Sequence, residues 1–150
     1  MNAFRFPLER VLGWRRSELE LEEHKFQQLV AAVAAVDREM ADLAATRIQA
    51  ETTVREWSSL SGSDLAALGS FRLYAVKKNT ELAARRVVCA RRVADGRNAM
   101  LEARRRFRLL ERLRERRYEE WRLARDKELE DLASESYLAR WAGNLHSDSE

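Results

Sequence analysis

The sequence predicts an all-α protein in which two long helices form an antiparallel coiled-coil hairpin. Three observations lead to this prediction. The 150 residues include only five glycines and one proline, whereas a compact fold with many turns normally uses more of these residues. Charged residues make up 35% of the chain, and the helix formers alanine, leucine, glutamate and arginine dominate it. Apolar residues also recur at seven-residue spacing over long stretches.

The first helix is predicted over residues 7–57. Pro7 suits the first turn of a helix, where its missing N–H group removes no hydrogen bond. Two rows of seam positions follow it, and twelve of these fifteen positions are apolar. One row holds Leu12, Leu19, Phe26, Val33, Met40, Arg47 and Val54. The other row holds Leu8, Arg15, Glu22, Leu29, Val36, Leu43, Ala50 and Trp57.

A loop is predicted over residues 58–64, where serines cluster with Gly62 and where Ser63 or Asp64 can cap a helix. The second helix is predicted over residues 65–141. Its first seam row holds Leu68, Ala75, Leu82, Cys89, Gly96, Ala103, Leu110, Arg117 and Ala124. Its companion row holds Arg72, Asn79, Arg86, Val93, Met100, Phe107, Arg114, Trp121 and Glu128.

The predicted hairpin is a single domain over residues 1–141, followed by a flexible tail over residues 142–150 in which Gly143 can end the helix. If the turn centres near Ser61, residue i of the first helix faces about residue 122 − i of the second. The arginine-rich stretch 104–117 then lies beside residues 5–18. Residues beyond about 120 extend past the first helix without a partner.

Charge is distributed unevenly along the chain, although the formal net charge is only +3. Residues 1–60 carry 8 positive and 10 negative groups, residues 61–102 carry 8 and 4, residues 103–127 carry 11 and 5, and residues 128–150 carry 1 and 6. An acidic, then basic, then acidic chain indicates charge matching within the protein or with a partner, rather than a uniformly basic nucleic-acid binder.

The stretch 103–121 contains eight arginines among nineteen residues and has three interpretations. It is a solvated helix face with ion pairs between neighbouring turns, a docking surface for another protein, or a nucleic-acid-binding arm. Four interleaved glutamates would repel a phosphate backbone, which counts against nucleic acid. At 100° per residue, one group points away from the seam: Arg105, Arg108, Arg112 and Arg116. The other group lies near the seam: Arg106, Arg114 and Arg117.

Several large side chains fall off the predicted seam. Trp14 follows the seam residue Leu12 by two positions, and Leu73 and Tyr74 are also off the seam. Trp121, Tyr137 and Trp141 lie in or near the segment without a partner. Aromatic residues concentrated in this way indicate a partner site. The alternative is that the seam changes register near the helix ends.

The sequence contains no pattern typical of catalysis. His24 and His146 are isolated, a single cysteine provides neither a disulfide nor a zinc site, and no glycine-rich phosphate loop is present. We therefore expect no enzymatic activity, catalytic residue, cofactor, metal or small-molecule substrate. No signal peptide and no run of ~20 apolar residues is found, so we expect a cytoplasmic protein that is not an integral membrane protein.

Two segments resemble the FliJ family, small coiled-coil proteins of the bacterial flagellar type III export apparatus. The first is FRFPLERVLGWRRSELE, an aromatic-basic-aromatic opening and a leucine-spaced helix, with Phe4, Phe6, Leu8 and Leu12. The second is LLERLRERRYEEW followed by KELEDLA. Its matching residues are Leu110, Glu111, Leu113, Arg116, Tyr118, Glu128, Asp131 and Leu132. With length and helical plan, the resemblance covers about 140 residues.

The resemblance implies a stalk and escort protein for flagellar protein export and motility. In such proteins the end that carries both termini inserts in the export ATPase hexamer, and the protein also contacts a membrane export gate and is linked to export chaperones. The expected location is the cytoplasm, peripherally associated with the inner-membrane export apparatus, without nucleic acid. The related stalk protein of virulence injectisomes and a generic structural coiled coil are the alternatives.

Mapped on this sequence, the ATPase end comprises Phe4–Arg16 and roughly Arg112–Leu132. The residues expected to bind the ATPase are Phe4, Phe6, Leu8, Trp14, Arg112, Arg116, Tyr118 and Trp121. The contact with the export gate is assigned to Phe71, Leu73 and Tyr74.

Overall fold

The computed structural model describes residues 3–147, together with the side chains of residues 3–142. It contains two long helices, α1 (Glu9–Glu56) and α2 (Gly62–Ser147), and no strand within the described residues. The predicted fold class, an antiparallel hairpin of two long helices, is confirmed. The chain divides into two compact units. The terminal unit takes Met1–Ser17 and Arg104–Glu150, and the loop unit takes Glu18–Ala103. The single domain over residues 1–141 stays a prediction.

The loop between the helices is shorter than predicted, because α2 begins at Gly62 and not at residue 65. The Ser61 carbonyl accepts the first helical hydrogen bond from the Leu65 amide at 3.2 Å. The Ser61 hydroxyl accepts from the Asp64 amide at 3.2 Å, and the Asp64 carboxylate accepts from the Ser61 amide at 2.9 Å. This reciprocal pair is a capping box. Ser61 is therefore the cap, and the prediction of Ser63 or Asp64 is wrong.

The far end of α2 also differs from the prediction, because the helix continues to Ser147 and does not end at Trp141. A terminating glycine adopts a left-handed conformation, and no glycine among the described residues has a positive φ. Gly143 is instead an interior helical residue, which costs about 1 kcal/mol relative to alanine and is tolerated. The predicted tail is thus helical over 142–147, and residues 148–150 lie outside the described residues.

In the loop unit, α1 packs through the two predicted seam rows. Val36 is buried, and Phe26, Leu29 and Leu43 are half-buried. Arg47 is exposed despite its seam position, and its guanidinium lies 3.7 Å from the Glu51 carboxylate one turn later. The remaining members of the two rows in this unit are half-buried, apart from Trp57, which is exposed beyond the helix end.

The first predicted row of α2 forms its side of the seam in this unit, with Ala75, Leu82 and Ala103 buried. The prediction of the companion row is wrong at three positions, because Arg72, Asn79 and Arg86 are exposed and do not lie in the seam. Phe71 and Lys78, each one residue earlier, are the half-buried neighbours instead. The row returns to the predicted positions at Val93, Met100 and, in the terminal unit, Phe107, all half-buried.

The two exposed arginines of this row make ion pairs with α1 along the edge of the seam. Arg72 Nε lies 3.2 Å from the Glu51 carboxylate, and Arg86 Nε lies 2.5 Å from that of Asp37. Arg85 pairs with Glu39 in the same way. The hydrogen bond with Asp37 raises the pKa of Arg86. The numbers of the paired residues add up to 123 or 124, so the predicted register of 122 is correct to within two residues in this unit.

Gly96 lies where the two helices of the loop unit approach closely. A Cβ atom on this residue would lie 2.6 Å from Cδ1 of Leu29 and 3.8 Å from Cδ2 of Phe26. The helix passes through Gly96 without interruption. The small residue therefore makes room for large side chains of α1.

We expect Leu82→Ala to lower the free energy of unfolding by about 2–5 kcal/mol, because Leu82 is only 2% exposed and truncation leaves a cavity in the seam. Urea denaturation followed by circular dichroism measures this change. Leu73→Ala is the matched control, because Leu73 is 75% exposed and its truncation is expected to change stability by less than about 0.5 kcal/mol. Equal losses in the two variants would contradict the assigned seam.

We expect Ser61→Ala to raise the pKa of Asp64 toward the usual aspartate value of about 3.9. In the native protein, hydrogen bonds from the Ser61 hydroxyl and amide hold this pKa below its usual value. Their contribution to stability is present above the usual pKa and is lost as the pH falls through the lower folded pKa. Carboxyl chemical shifts in an NMR titration measure the change. Ser59→Ala is the control, and an unchanged Asp64 pKa in Ser61→Ala would refute the capping box.

Candidate functional site

In the terminal unit, the segment before α1 lies against the later part of α2 through aromatic rings. The Phe4 ring stands edge-on to Tyr118, with centroids 5.3 Å apart and planes at 82°. Its centroid is also 5.9 Å from that of Trp121, and the Tyr118 and Trp121 rings lie 5.8 Å apart. We call these three residues the aromatic cluster. Such edge and tilted pairs contribute about 0.5–1.5 kcal/mol each beyond burial.

The start of α1 is held by further contacts in the same unit. Phe6 and Leu12 are buried, and the Phe6 carbonyl accepts a hydrogen bond from the Glu9 amide at 3.2 Å as the helix begins. The Glu9 carboxylate accepts from Arg114 Nε at 3.0 Å. The Arg16 guanidinium lies over the Phe107 ring, 5.6 Å from its centroid. The numbers in both pairs add up to 123, so the predicted register is also correct here.

A concave surface of about 470 Å³ opens beside the aromatic cluster. Its lining consists of Phe4, Arg5, Pro7, Arg117, Glu120 and Trp121. Arg117 and Glu120 form an ion pair at 3.2 Å within this lining, and Phe4, Pro7 and Trp121 contribute its apolar side chains. A lining that mixes apolar and charged side chains in this way is typical of a surface that binds protein.

Burial does not separate the two predicted groups of arginines, because the three predicted near the seam, Arg106, Arg114 and Arg117, are exposed like the outward group. Arg114 reaches Glu9 across the seam, whereas Arg117 pairs with Glu120 on its own helix. Within the described side chains, no hydrogen bond or ion pair engages three members of the outward group, Arg108, Arg112 and Arg116. These guanidinium groups are available to a carboxylate from outside the chain.

The residues predicted to bind the ATPase separate into a packed set and an exposed set. Phe6 is buried, and Phe4 and Trp121 are half-buried in the aromatic cluster. These three residues therefore hold the exposed binding residues in place, and little of their own area is open to a partner. The exposed residues are Leu8, Trp14, Arg112, Arg116 and Tyr118. Trp14 is 58% exposed, as its off-seam position predicts, and the Arg15 guanidinium lies 4.5 Å from its ring centroid. Their role in binding stays a prediction.

The residues assigned to the export gate lie in the loop unit. Leu73 and Tyr74 are exposed, in agreement with their off-seam positions. Phe71 is half-buried in the seam, and its ring centroid lies 6.4 Å from that of Tyr74. Phe71 therefore acts as a packing residue, and the surface available to a partner here consists of Leu73 and Tyr74.

Beyond Trp121, every side chain that the structure describes, from residue 122 to residue 142, is exposed. This agrees with the prediction that residues after about 120 have no partner on α1. The exposed set includes Leu123, Tyr137 and Trp141, and the outward-facing Leu109 precedes it. The sequence interpretation did not single out Leu109 and Leu123. Each of them lies seven residues, about two helical turns, from the outward-pointing Arg116. This spacing is the signal that would have revealed them.

No group of three or more potential metal ligands lies together among the described residues. In the same part of the chain, neither helix contains a segment long and apolar enough to span a membrane. Comparison of the chain with protein-family models, curated proteins and solved structures finds no match. The resemblance to the FliJ family therefore stays a prediction from the residues that carry it.

We expect Phe4→Ala to shift the fluorescence emission of Trp121 to longer wavelength, because removal of the ring exposes the indole to water. The measurement needs a chain in which the exposed Trp14, Trp57 and Trp141 are replaced by phenylalanine. Tyr137→Ala in that background is the control, because Tyr137 is 71% exposed and outside the aromatic cluster. Identical spectra for all three chains would contradict the packing of Phe4 on Trp121.

Proposed function

We propose that this chain is a non-enzymatic component of the bacterial flagellar type III protein export apparatus. In this proposal it is a stalk and escort protein that binds the export ATPase and links it to the export gate and to substrate chaperones. One structural observation supports the proposal in addition to the resemblance. The two segments that resemble the FliJ family, one at each end of the chain, pack on each other in the terminal unit through Phe4, Tyr118 and Trp121.

The proposed ATPase contact is the exposed side of the terminal unit. Arg112 and Arg116 lie two helical turns or less from Tyr118, and neither is engaged by a carboxylate in the described part of the chain. Arginine and aromatic residues are enriched among the residues that dominate protein interfaces. Fixed guanidinium groups also favour an acidic surface on the partner, because charge complementarity steers association. Phe4 and Phe6 then position this surface from within.

The proposed gate contact is the exposed pair Leu73 and Tyr74 in the loop unit. A leucine and a tyrosine side by side present apolar area together with a hydroxyl group, which suits a protein partner. Chaperone binding has no residue assignment in this proposal.

An injectisome stalk protein is the closest alternative, because the same hairpin and the same basic end would serve there. Binding assays with both kinds of export ATPase distinguish the two. A generic structural coiled coil is the other alternative. A parallel dimer through the long seam would need the seam residues that α1 and α2 already cover in each unit, such as Leu82, which is 2% exposed.

We expect the full chain to capture the cognate flagellar export ATPase in a pull-down, and the double charge reversal Arg112→Glu/Arg116→Glu to reduce the affinity at least about tenfold. The physical reason is that an attraction to acidic partner groups becomes a repulsion, which costs on the order of 1.4 kcal/mol or more. Binding of the wild-type chain should also weaken with added salt.

The matched control is Arg91→Glu/Arg92→Glu, which makes the same change of net charge at exposed positions of the loop unit. It should bind as the wild type does. Absence of any binding by the wild-type chain would count against the proposed function. Equal binding by all three chains would leave the function standing and remove the assigned contact.

A further inference from the structure

One continuous stripe of exposed side chains runs along the outward side of α2 in the terminal unit. Its members are separated by three or four residues and lie within about 40° of one direction on the helix, opposite the seam. We call it the outer stripe. It consists of Leu109, Arg112, Arg116, Glu119, Leu123, Lys127, Glu130, Ser134, Tyr137 and Trp141, all of which are exposed.

The apolar members of the outer stripe are exposed to solvent. Leu109 is 57% exposed and Leu123 is 64% exposed. Tyr137 and Trp141 are exposed to a similar or greater extent. Repeated large apolar side chains on one exposed helix face are typical of a face that another helix covers.

The charged members of the stripe are mostly unsatisfied. Within the described side chains, no carboxylate pairs with Arg112, Arg116 or Lys127, and no cation pairs with Glu130. Glu119 is bound by Arg122 at 2.8 Å on its own helix. Among the described side chains, the stripe therefore offers the unpaired Arg112 and Arg116 on one side of Leu123, and the unpaired Lys127 and Glu130 on the other side.

The order of these residues is self-complementary about Leu123. When a second copy of the stripe is laid antiparallel with Leu123 opposite Leu123, residue j faces residue 246 − j. Arg116 then faces Glu130, and Glu119 faces Lys127, each twice by symmetry. Leu109 faces Tyr137, so an apolar pair flanks the charges on each side. Arg112 faces the hydroxyl of Ser134.

A second copy docked in the parallel orientation would bring like charges together. In a parallel pair each residue faces its own copy, so Arg112, Arg116 and Lys127 would each meet a like charge. Like charges placed across an interface are strongly unfavourable. The charge pattern therefore selects an antiparallel partner with the same sequence, and a two-fold symmetric contact of this kind is the usual form of a homodimer.

We infer that the outer stripe is a homodimerisation surface, on which a second copy of this chain docks antiparallel with its two-fold axis at Leu123. The contact between Leu109 and Tyr137 is about 42 Å long at 1.5 Å per residue. Between Leu109 and Tyr137 the members recur about every 3.5 residues, so the stripe drifts by about 20° per heptad and a slight left-handed supercoil keeps the two stripes opposed. The inference does not depend on the proposed export function, although Arg112 and Arg116 would serve both contacts.

Sedimentation equilibrium of the full chain tests the inference. We expect a monomer–dimer equilibrium that shifts toward monomer as salt rises from about 50 mM to about 500 mM. Glu130→Arg places two arginines opposite each other twice per dimer, and it should raise the dimer dissociation constant at least about tenfold. Arg116→Glu should do the same, and the double variant Arg116→Glu/Glu130→Arg should restore dimerisation because its charges match again.

Mixing the two single variants is the sharper form of this test. A chain with Arg116→Glu and a chain with Glu130→Arg complement each other in both ion pairs, so the mixture should form a heterodimer although each chain alone is weakened. Glu81→Arg, a charge reversal of the same kind at an exposed position of the loop unit, is the control and should dimerise as the wild type does.

Cross-linking tests the position of the two-fold axis. In a Cys89→Ser background, Leu123→Cys places two thiols opposite each other, and a short bismaleimide should join the chains. Leu73→Cys in the same background is the control, because Leu73 is at least as accessible as Leu123 but lies outside the outer stripe. A wild-type chain that stays monomeric at low salt overturns the inference. A dimer that neither charge reversal weakens, or that Leu73→Cys cross-links as well as Leu123→Cys, also overturns it.

Discussion

Burial of apolar side chains along the seam between α1 and α2 is the interaction on which the rest of this structure depends. Six hydrophobic residues are buried among the described side chains, and five of them occupy predicted seam rows. A seam of this kind covers one narrow face of each helix, so most side chains of both helices stay in contact with water. The abundance of charge in the sequence is therefore a consequence of the fold, because a helix with one buried face needs polar residues on the others.

Electrostatic contacts at the edges of the seam then specify how the helices align. A seam of leucine, valine and alanine is similar from one heptad to the next, so a shift by seven residues would bury nearly the same area. The pairs Arg72–Glu51 and Arg86–Asp37 in the loop unit, and Arg114–Glu9 in the terminal unit, exist in one register only. Exposed ion pairs contribute little stability individually, about 0–1 kcal/mol. In this fold the ion pairs favour one alignment of the two helices over other alignments that would bury a similar apolar area.

The arginine-rich stretch illustrates how one helix serves several contacts at once. Arg114 points to the seam and fastens α1 to α2, whereas Arg112, only two residues earlier, points to the opposite side. The 100° turn between consecutive residues creates this division. The aromatic cluster supports the same helix from the inner side. A partner that approaches the outer face therefore meets side chains mounted on a helix that Phe4, Phe6 and Leu12 hold in place.

The sequence by itself determined the fold class, the course of α1, the antiparallel register and the exposure of Trp14, because a seven-residue apolar period and a shortage of turn residues leave few alternatives. It also contained the residues of the capping box, Ser61 and Asp64, but the predicted cap was Ser63 or Asp64, and only the hydrogen bonds showed that Ser61 is the cap. Only the tertiary structure decided which flank of α2 is buried at Phe71 and Arg72, that Phe4 packs on Tyr118 and Trp121, and which arginines are engaged. The physical reason is that these outcomes depend on atoms of the other helix, and periodicity within one helix carries no information about them.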